Sequence, residues 1–322
     1  IAALRTWGAG STGSRLVTGN TELHEDFENA LAEFVGAESA LVFSSGYTAN
    51  LGAVVALSGQ GSLVVSDALT HASLVDACRL SRARVVVTPH SDVAAVADAL
   101  ANRSEQRAVV VTDSVFSADG DLAPLRELHD VCRRHGALMI VDEAHGLGVR
   151  GSGGRGLLHE VGLAGAPDVV MTVTLSKALG SQGGAVLGPA AVRDHLIDAA
   201  RPFIFDTALA PAAAGAALEA LRIARADTSL AACVRGRVLD LAAALGVEPP
   251  DGAVLSVPMP SPQVAVAARD ACLAAGIRVG CFRPPSVPDG ISRLRVTVSA
   301  GVPEDAWTRA VETLVAVVKE HR

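Results

Sequence analysis

Lysine is almost absent from this chain, and one of its two positions has a chemical setting. Of 27 basic residues two are lysines, Lys177 and Lys319. Lys319 lies near the C-terminal end, where any cation would serve. Lys177 stands in Thr172-Val-Thr-Leu-Ser-Lys-Ala-Leu-Gly180, an apolar and glycine-rich context. Arginine stays protonated and cannot form an imine, whereas lysine can. The plain alternative is a surface lysine in a loop. The scarcity of lysine and the Gly180-Ser-Gln-Gly-Gly184 that follows weigh against it. Lys177 is read as the Schiff-base carrier of a carbonyl cofactor, with Thr174 near that cofactor's phosphate.

Three further pieces fall at the ends of strand-like runs. Ala137-Leu-Met-Ile-Val-Asp142-Glu-Ala-His145 puts a carboxylate after a fully apolar stretch. Alone, Asp142 could be a turn acid or helix cap. It could equally be the anion that keeps a pyridine nitrogen protonated and makes the ring an electron sink. His145 could hydrogen-bond a ring hydroxyl oxygen, although a lone His is more often structural. Ser44-Ser-Gly46-Tyr47 joins a strand to a helix, where backbone N–H groups and the helix N-terminus favour phosphate; an ordinary turn would look the same. In Asp67-Ala-Leu-Thr-His71-Ala-Ser73, His71 could stack on a cofactor ring or simply cap a helix. Together the four pieces point to pyridoxal phosphate.

The elements that must position these residues alternate. Runs at 40–43, 63–66, 84–88, 108–113, 138–142 and 169–173 read as short buried strands. Helical patterns lie at 21–35, 73–81, 93–102 and 122–135. This alternation predicts an α/β fold, a mostly parallel central sheet flanked by helices. From about residue 210 the pattern changes, with helices at 211–226, 263–275 and 303–320 and short strands among them. Residues 1–209 are read as a large cofactor-binding domain and 210–322 as a smaller C-terminal α+β domain.

Other functions are disfavoured. The formal net charge is -7 and no basic run interrupts it, so no nucleic-acid partner is expected. Asp142-Glu-Ala-His145 spells a helicase-like box, but no phosphate loop with its lysine accompanies it. Gly8-Ala-Gly-Ser-Thr-Gly13 and Gly151-Ser-Gly-Gly-Arg-Gly156 fit a dinucleotide fingerprint, yet neither links a convincing strand directly to a helix, and both read as flexible loops. The longest apolar runs, such as 209–221, are broken by Pro and Gly, so no membrane span is expected. Cys78, Cys132, Cys233, Cys272 and Cys281 form no CxxC pair; they read as buried thiols of a cytoplasmic protein, with no metal site. The first residue is Ile1, and further sequence upstream is expected.

As a set, the motifs resemble the α-oxoamine synthases, a subgroup of fold-type I pyridoxal-phosphate enzymes. The resemblance is carried, in the family's order, by Thr18-Gly-Asn-Thr-Glu-Leu-His24, Phe43-Ser-Ser-Gly-Tyr47, His71-Ala-Ser-Leu-Val-Asp76, Asp113-Ser-Val-Phe-Ser-Ala-Asp-Gly-Asp121, Val141-Asp-Glu-Ala-His-Gly-Leu-Gly148, Gly153-Gly-Arg-Gly156 and Thr174-Leu-Ser-Lys-Ala-Leu-Gly180. It covers nearly the whole chain. It implies that Lys177 carries the cofactor, Asp142 pairs with the ring nitrogen, His145 contacts the ring oxygen and His71 stacks on the ring. Gly46, Tyr47, Ser114 and Thr174 would also hold the cofactor. Thr207 would reach the phosphate of a neighbouring subunit in a homodimer with shared sites. Arg295 would clamp an amino-acid carboxylate, with Ser286 and His71 lining the substrate site. The plain reading of Arg293 and Arg295 is alternate cations on an exposed strand face; bidentate carboxylate binding is the arginine-specific use.

Arg283-Pro-Pro-Ser-Val-Pro288 and Arg293-Leu-Arg-Val-Thr-Val-Ser-Ala300 are most similar to the family branch that condenses L-alanine with a pimeloyl thioester on the way to biotin. The acyl donor would be pimeloyl-CoA or a pimeloyl-carrier protein, and the condensation decarboxylative. Alternatives are a glycine-using relative, a fold-type I aminotransferase and a non-catalytic partner subunit. Such subunits commonly lack the lysine that Lys177 supplies.

Overall fold

The β-branched runs form strands buried on both faces, because parallel sheets in α/β proteins are covered by helices on each side. In the computed structural model, which describes residues 1–285, 287 and 289–322, β1 is Ser39–Phe43, β2 Ser62–Asp67, β3 Arg84–Thr88, β4 Arg107–Asp113, β5 Leu138–Asp142, β6 Val169–Thr174 and β7 Gly184–Gly188. They form one seven-stranded sheet in the order β1-β7-β6-β5-β4-β2-β3. Only β7 runs against its neighbours, antiparallel to both β1 and β6. Side chains alternate between two cores. Met139 and Val141 face one, with Phe27, Leu31 and Leu158; Ile140 faces the other, with Leu41, Val54 and Leu74. Each such fully buried aliphatic side chain contributes about 1.5–3 kcal/mol of transfer free energy.

β7 went unread in the sequence because it is short and framed by glycine. Gly184 is required there: a Cβ on it would lie 2.5 Å from Gly46 Cα. The helix Glu22–Val35 is entered through Thr21, whose side chain and that of His24 complete a capping box. Arg150–Gly156 is no loose loop. Gly148 N–H donates to Gly154 O at 2.6 Å, and Gly156 N–H to Arg150 O at 2.8 Å.

The first compact unit comprises 1–116 and 122–228, so the boundary lies beyond the expected 209/210. The reason is packing. The helix Pro211–Ala226 buries Ala214, Ala217, Leu218 and Leu221 in the same core as Phe27 and Leu31. The second unit comprises 117–121 and 229–322. Its strands β8 (Val254–Pro258), β9 (Gly280–Phe282) and β10 (Arg293–Thr297) form an antiparallel sheet in the order β8-β10-β9. The helices Ser229–Leu245, Pro262–Ala274 and Glu304–His321 supply its core, with Leu241, Cys272 and Leu314. The first of these was not anticipated; beside its buried stripe at Val234, Val238, Leu241 and Leu245 it carries apolar residues on other faces, such as exposed Leu239. Cys78, Cys132 and Cys272 are buried, whereas Cys233 and Cys281 are half-buried, and all five are free thiols. Among the described residues, no helix is long and apolar enough to cross a membrane, and no cluster of His, Cys, Asp and Glu could hold a metal ion.

Candidate active site

The parallel strands end along one edge of the sheet, where α/β folds place ligands. Asp67, Asp113, Asp142 and Thr174 are the last residues of β2, β4, β5 and β6. Asp142 is 6% exposed. Its Oδ1 accepts the Ala144 N–H at 2.8 Å and its Oδ2 accepts Asn50 Nδ2–H at 2.7 Å. A carboxylate offers about four acceptor positions, so capacity remains for a further N–H donor.

The turn after β5 carries His145. Gly146 and Leu147 donate their N–H groups to Glu143 O at 3.0 and 2.9 Å. The Glu143 side chain is fully buried and anchors the turn, accepting from Ser114 Oγ at 2.7 Å and Leu158 N at 2.6 Å. Burial pushes its carboxyl above the usual range. His145 Nε2 thereby comes to 2.9 Å from Lys177 Nζ. The loop bearing Lys177 is pinned on both sides, by Leu175 N–H to Gly183 O and Ser181 N–H to Leu175 O, each 2.9 Å.

Thr174 meets the helix Gly46–Leu57 end-on. A Cβ on Gly46 would stand 3.0 Å from the Thr174 Cβ, so glycine permits the approach. Ser45 caps this helix, accepting from Thr48 N–H at 3.1 Å. The first N–H groups of a helix have no partner within it and attract anions. Ser44 donates a short hydrogen bond to Asp206. Tyr47 is exposed, and its hydroxyl donates to Asp76 Oδ2 at 2.6 Å; that bond pushes the phenol upward.

His71 caps the helix Ala72–Leu80. Its backbone N–H donates to Asp113 Oδ2 at 3.0 Å. Partial burial lowers its imidazole pKa, while the Asp142 and Lys177 charges act on it in opposite directions. Asp113 is buried beside Asp142, its partner across β4 and β5. Burial first, then the Asp142 charge, pushes the Asp113 carboxyl well up.

A raised folded-state pKa contributes stability at low pH that is lost as pH rises from the ordinary aspartate range through the raised value. Asp113→Asn removes this ionisation and keeps an oxygen for the His71 N–H. The variant should therefore gain stability relative to the parent chain as pH rises above the ordinary aspartate range of about 4. Urea midpoints at rising pH check it; a constant difference would reject the assignment.

The structure thus gathers Lys177, His145, Asp142, His71, Thr174 and Gly46. It also ties the Ser114 hydroxyl to Glu143, to which it donates at 2.7 Å. Thr207 is exposed, and its N–H donates to its neighbour Asp206 at 2.9 Å. Ser286 lies outside the described residues. In the second unit, Arg293 is not an exposed cation. It is 5% exposed and paired with Asp119 at 2.6 Å and with Asp289. Arg295 is half-buried over Phe282 at 5.6 Å, with Nε lacking a hydrogen-bond partner. Burial lowers its pKa. Asn50 and Ser73, buried beside Asp142 and His71, do not stand out in the sequence. The available signal was an Asn inside an otherwise apolar helix, one turn after Gly46.

These residues fit pyridoxal phosphate: a lysine amine beside an imidazole, a buried carboxylate with spare acceptor capacity, and a glycine-floored helix N-terminus. The chain matches the family model described as aminotransferase class I and II over residues 1–314. It is 75% identical over 319 residues to the 8-amino-7-oxononanoate synthase of Mycolicibacterium gilvum, covering 99% of this chain and 84% of that protein. The protein of the same name from Mycolicibacterium smegmatis is 70% identical over 323 residues, covering 100% and 85%. Among solved structures, a Sphingomonas wittichii serine palmitoyltransferase superposes with TM-score 0.93 at 33% identity, covering 99% of this chain and 82% of that one. An 8-amino-7-oxononanoate synthase from Francisella tularensis gives 0.80 at 27% identity, covering 99% and 91%.

Proposed function

The chain belongs to the α-oxoamine synthases within the aminotransferase class I and II family, and from that membership we propose that it makes 8-amino-7-oxononanoate from L-alanine and a pimeloyl thioester, a step of biotin biosynthesis. The observation that carries the reading is Lys177 Nζ at 2.9 Å from His145, beside Asp142, in a chain 75% identical to a synthase of that name. When bound, pyridoxal phosphate supplies the electron sink that makes the alanine Cα–H acidic.

The protein's own groups do the rest. Lys177 would carry the cofactor, and its free amine would take the Cα proton on Nζ. Asp142 would keep the ring nitrogen protonated and His145 would hydrogen-bond the ring oxygen. Gly46, Tyr47, Ser114 and Thr174 would also hold the cofactor, and Thr207 would reach the phosphate of a second copy in a homodimer. Arg295 takes the substrate carboxylate, a bidentate use of its guanidinium. In the substrates, the Cα–H bond breaks and Cα bonds to the thioester carbonyl carbon. The thiol leaves, the resulting β-keto acid loses CO₂, and Cα regains a proton. The enzyme acts in the cytoplasm.

The test is an assay with added pyridoxal phosphate, pimeloyl-CoA or pimeloyl-carrier protein, and either L-alanine or glycine. CO₂ release with L-alanine, at least about tenfold faster than with glycine, is expected; a missing or extra methyl group is worth roughly 10–200-fold. Preference for glycine would move the chain to another branch of the family. Reversible exchange with 2-oxo acids without CO₂ would make it an aminotransferase.

A further inference from the structure

A line of hydrogen bonds leads from Asp142 to His71 through two residues that the mechanism above does not use. Asn50 Nδ2 lies 2.7 Å from Asp142 Oδ2 and 2.8 Å from Ser73 Oγ. Ser73 Oγ lies 2.7 Å from His71 Nδ1, and the Ser73 backbone N–H donates to the same nitrogen at 3.3 Å. Asn50 and Ser73 are 3% and 0% exposed.

We propose that Asn50 and Ser73 are positioning residues that hold His71 as the Nε2–H tautomer, so that its outer nitrogen offers a hydrogen-bond donor to an oxygen of the bound substrate. The inference rests on the reading above, in which His71 covers the cofactor ring.

The directions follow from Asp142 outward. An ionised carboxylate only accepts, so the end of the Asn50 amide that faces it is the NH₂. Both hydrogens of that NH₂ are then committed, one to Asp142 and one to Ser73. Ser73 Oγ therefore accepts from Asn50, and its own hydrogen points to His71 Nδ1. The Ser73 backbone N–H can only donate, and it too points at Nδ1. A nitrogen facing two donors cannot hold a proton, so the neutral ring carries its hydrogen on Nε2. Asn50 Oδ1 is buried without a hydrogen-bond partner. An amide with only a packing role could turn over to seek one; here turning would set its oxygen against the Asp142 carboxylate.

The test uses the full chain with ¹⁵N-labelled histidine, with and without added pyridoxal phosphate. His71 signals are assigned with a His71→Asn variant. Expected are an unprotonated Nδ1 and a protonated Nε2. Ser73→Ala leaves Nδ1 only the longer 3.3 Å backbone N–H contact, so it should let part of the population move to the Nδ1–H tautomer and bind L-alanine about five- to tenfold more weakly, read from the visible spectrum. Ser73→Thr keeps the hydroxyl and should restore both. A protonated Nδ1 in the unsubstituted chain, or equal behaviour of the Ala and Thr variants, would overturn the proposal. Absence of any visible cofactor band in the unsubstituted chain would instead sink the function proposed above, and the ring-nitrogen signals would still decide the tautomer.

Discussion

Lys177→Ala is expected to lose the visible band of the lysine-bound cofactor and more than about 10⁴ in turnover, because covalent attachment and proton transfer fail together. The fold should be nearly untouched. Lys177 is exposed on a loop whose backbone is pinned by Leu175, Ser181 and Gly183, and those bonds need no lysine side chain. Lys177→Arg sharpens the test. A guanidinium keeps the positive charge beside His145 but cannot form an imine. If charge alone mattered, Arg would recover a large share of the activity. The expected outcome is that Arg is as inactive as Ala. A turnover within tenfold of the parent chain in either variant, with cofactor bound, would remove Lys177 from the chemistry.

The lysine was legible because of a compositional contrast that survives without structure. The chain uses Arg for nearly every cation, so a lysine in an apolar, glycine-rich run stands out, and the structure puts its Nζ 2.9 Å from His145. Asp142 and His145 were legible for a geometric reason. A short apolar run between two helical patterns reads as a buried strand, and the first polar residue after it then falls at the sheet edge. β7 and the helix Ser229–Leu245 were not legible: one is defined by how closely Gly184 lets another backbone approach, the other by tertiary packing. Ser114 and Arg293 show the same limit from the other side. Each sits in a motif that resembles a functional one, and each is committed to a neighbour, Glu143 in one case and Asp119 with Asp289 in the other. Two of these partners, Glu143 and Asp119, are 29 and 174 positions away, so spacing alone does not reveal them. Asn50 is the clearest case. Its partners are 23 and 92 positions away, and no local pattern announces them.

Asp142→Asn separates the charge of this residue from its place in the fold. Asp142 accepts two N–H groups in the structure, from Ala144 and Asn50. The new amide oxygen can keep the Ala144 bond. Its NH₂ then faces Asn50, whose amide can turn so that its partnerless Oδ1 accepts. The cost to folding should therefore be small, about 1 kcal/mol or less, the net worth of one hydrogen bond. The cost to chemistry should be large. Removing an opposite charge from beside a protonated nitrogen lowers that nitrogen's pKa by roughly 1–3 units, and the ring then takes up electrons poorly. Turnover should fall by more than about 100-fold, the scale of losing one preorganised electrostatic partner. The transient absorbance that follows Cα–H cleavage should fall with it, while the urea midpoint barely moves. The turned Asn50 amide would also release Ser73, so the His71 ring nitrogens should show mixed tautomers, as in Ser73→Ala. The two variants then differ in one respect: Ser73→Ala keeps the anion. If Ser73→Ala lost as much turnover as Asp142→Asn, the effect of Asp142 would run through His71. If Asp142→Asn alone collapses turnover, the carboxylate acts directly on the ring nitrogen and not through His71.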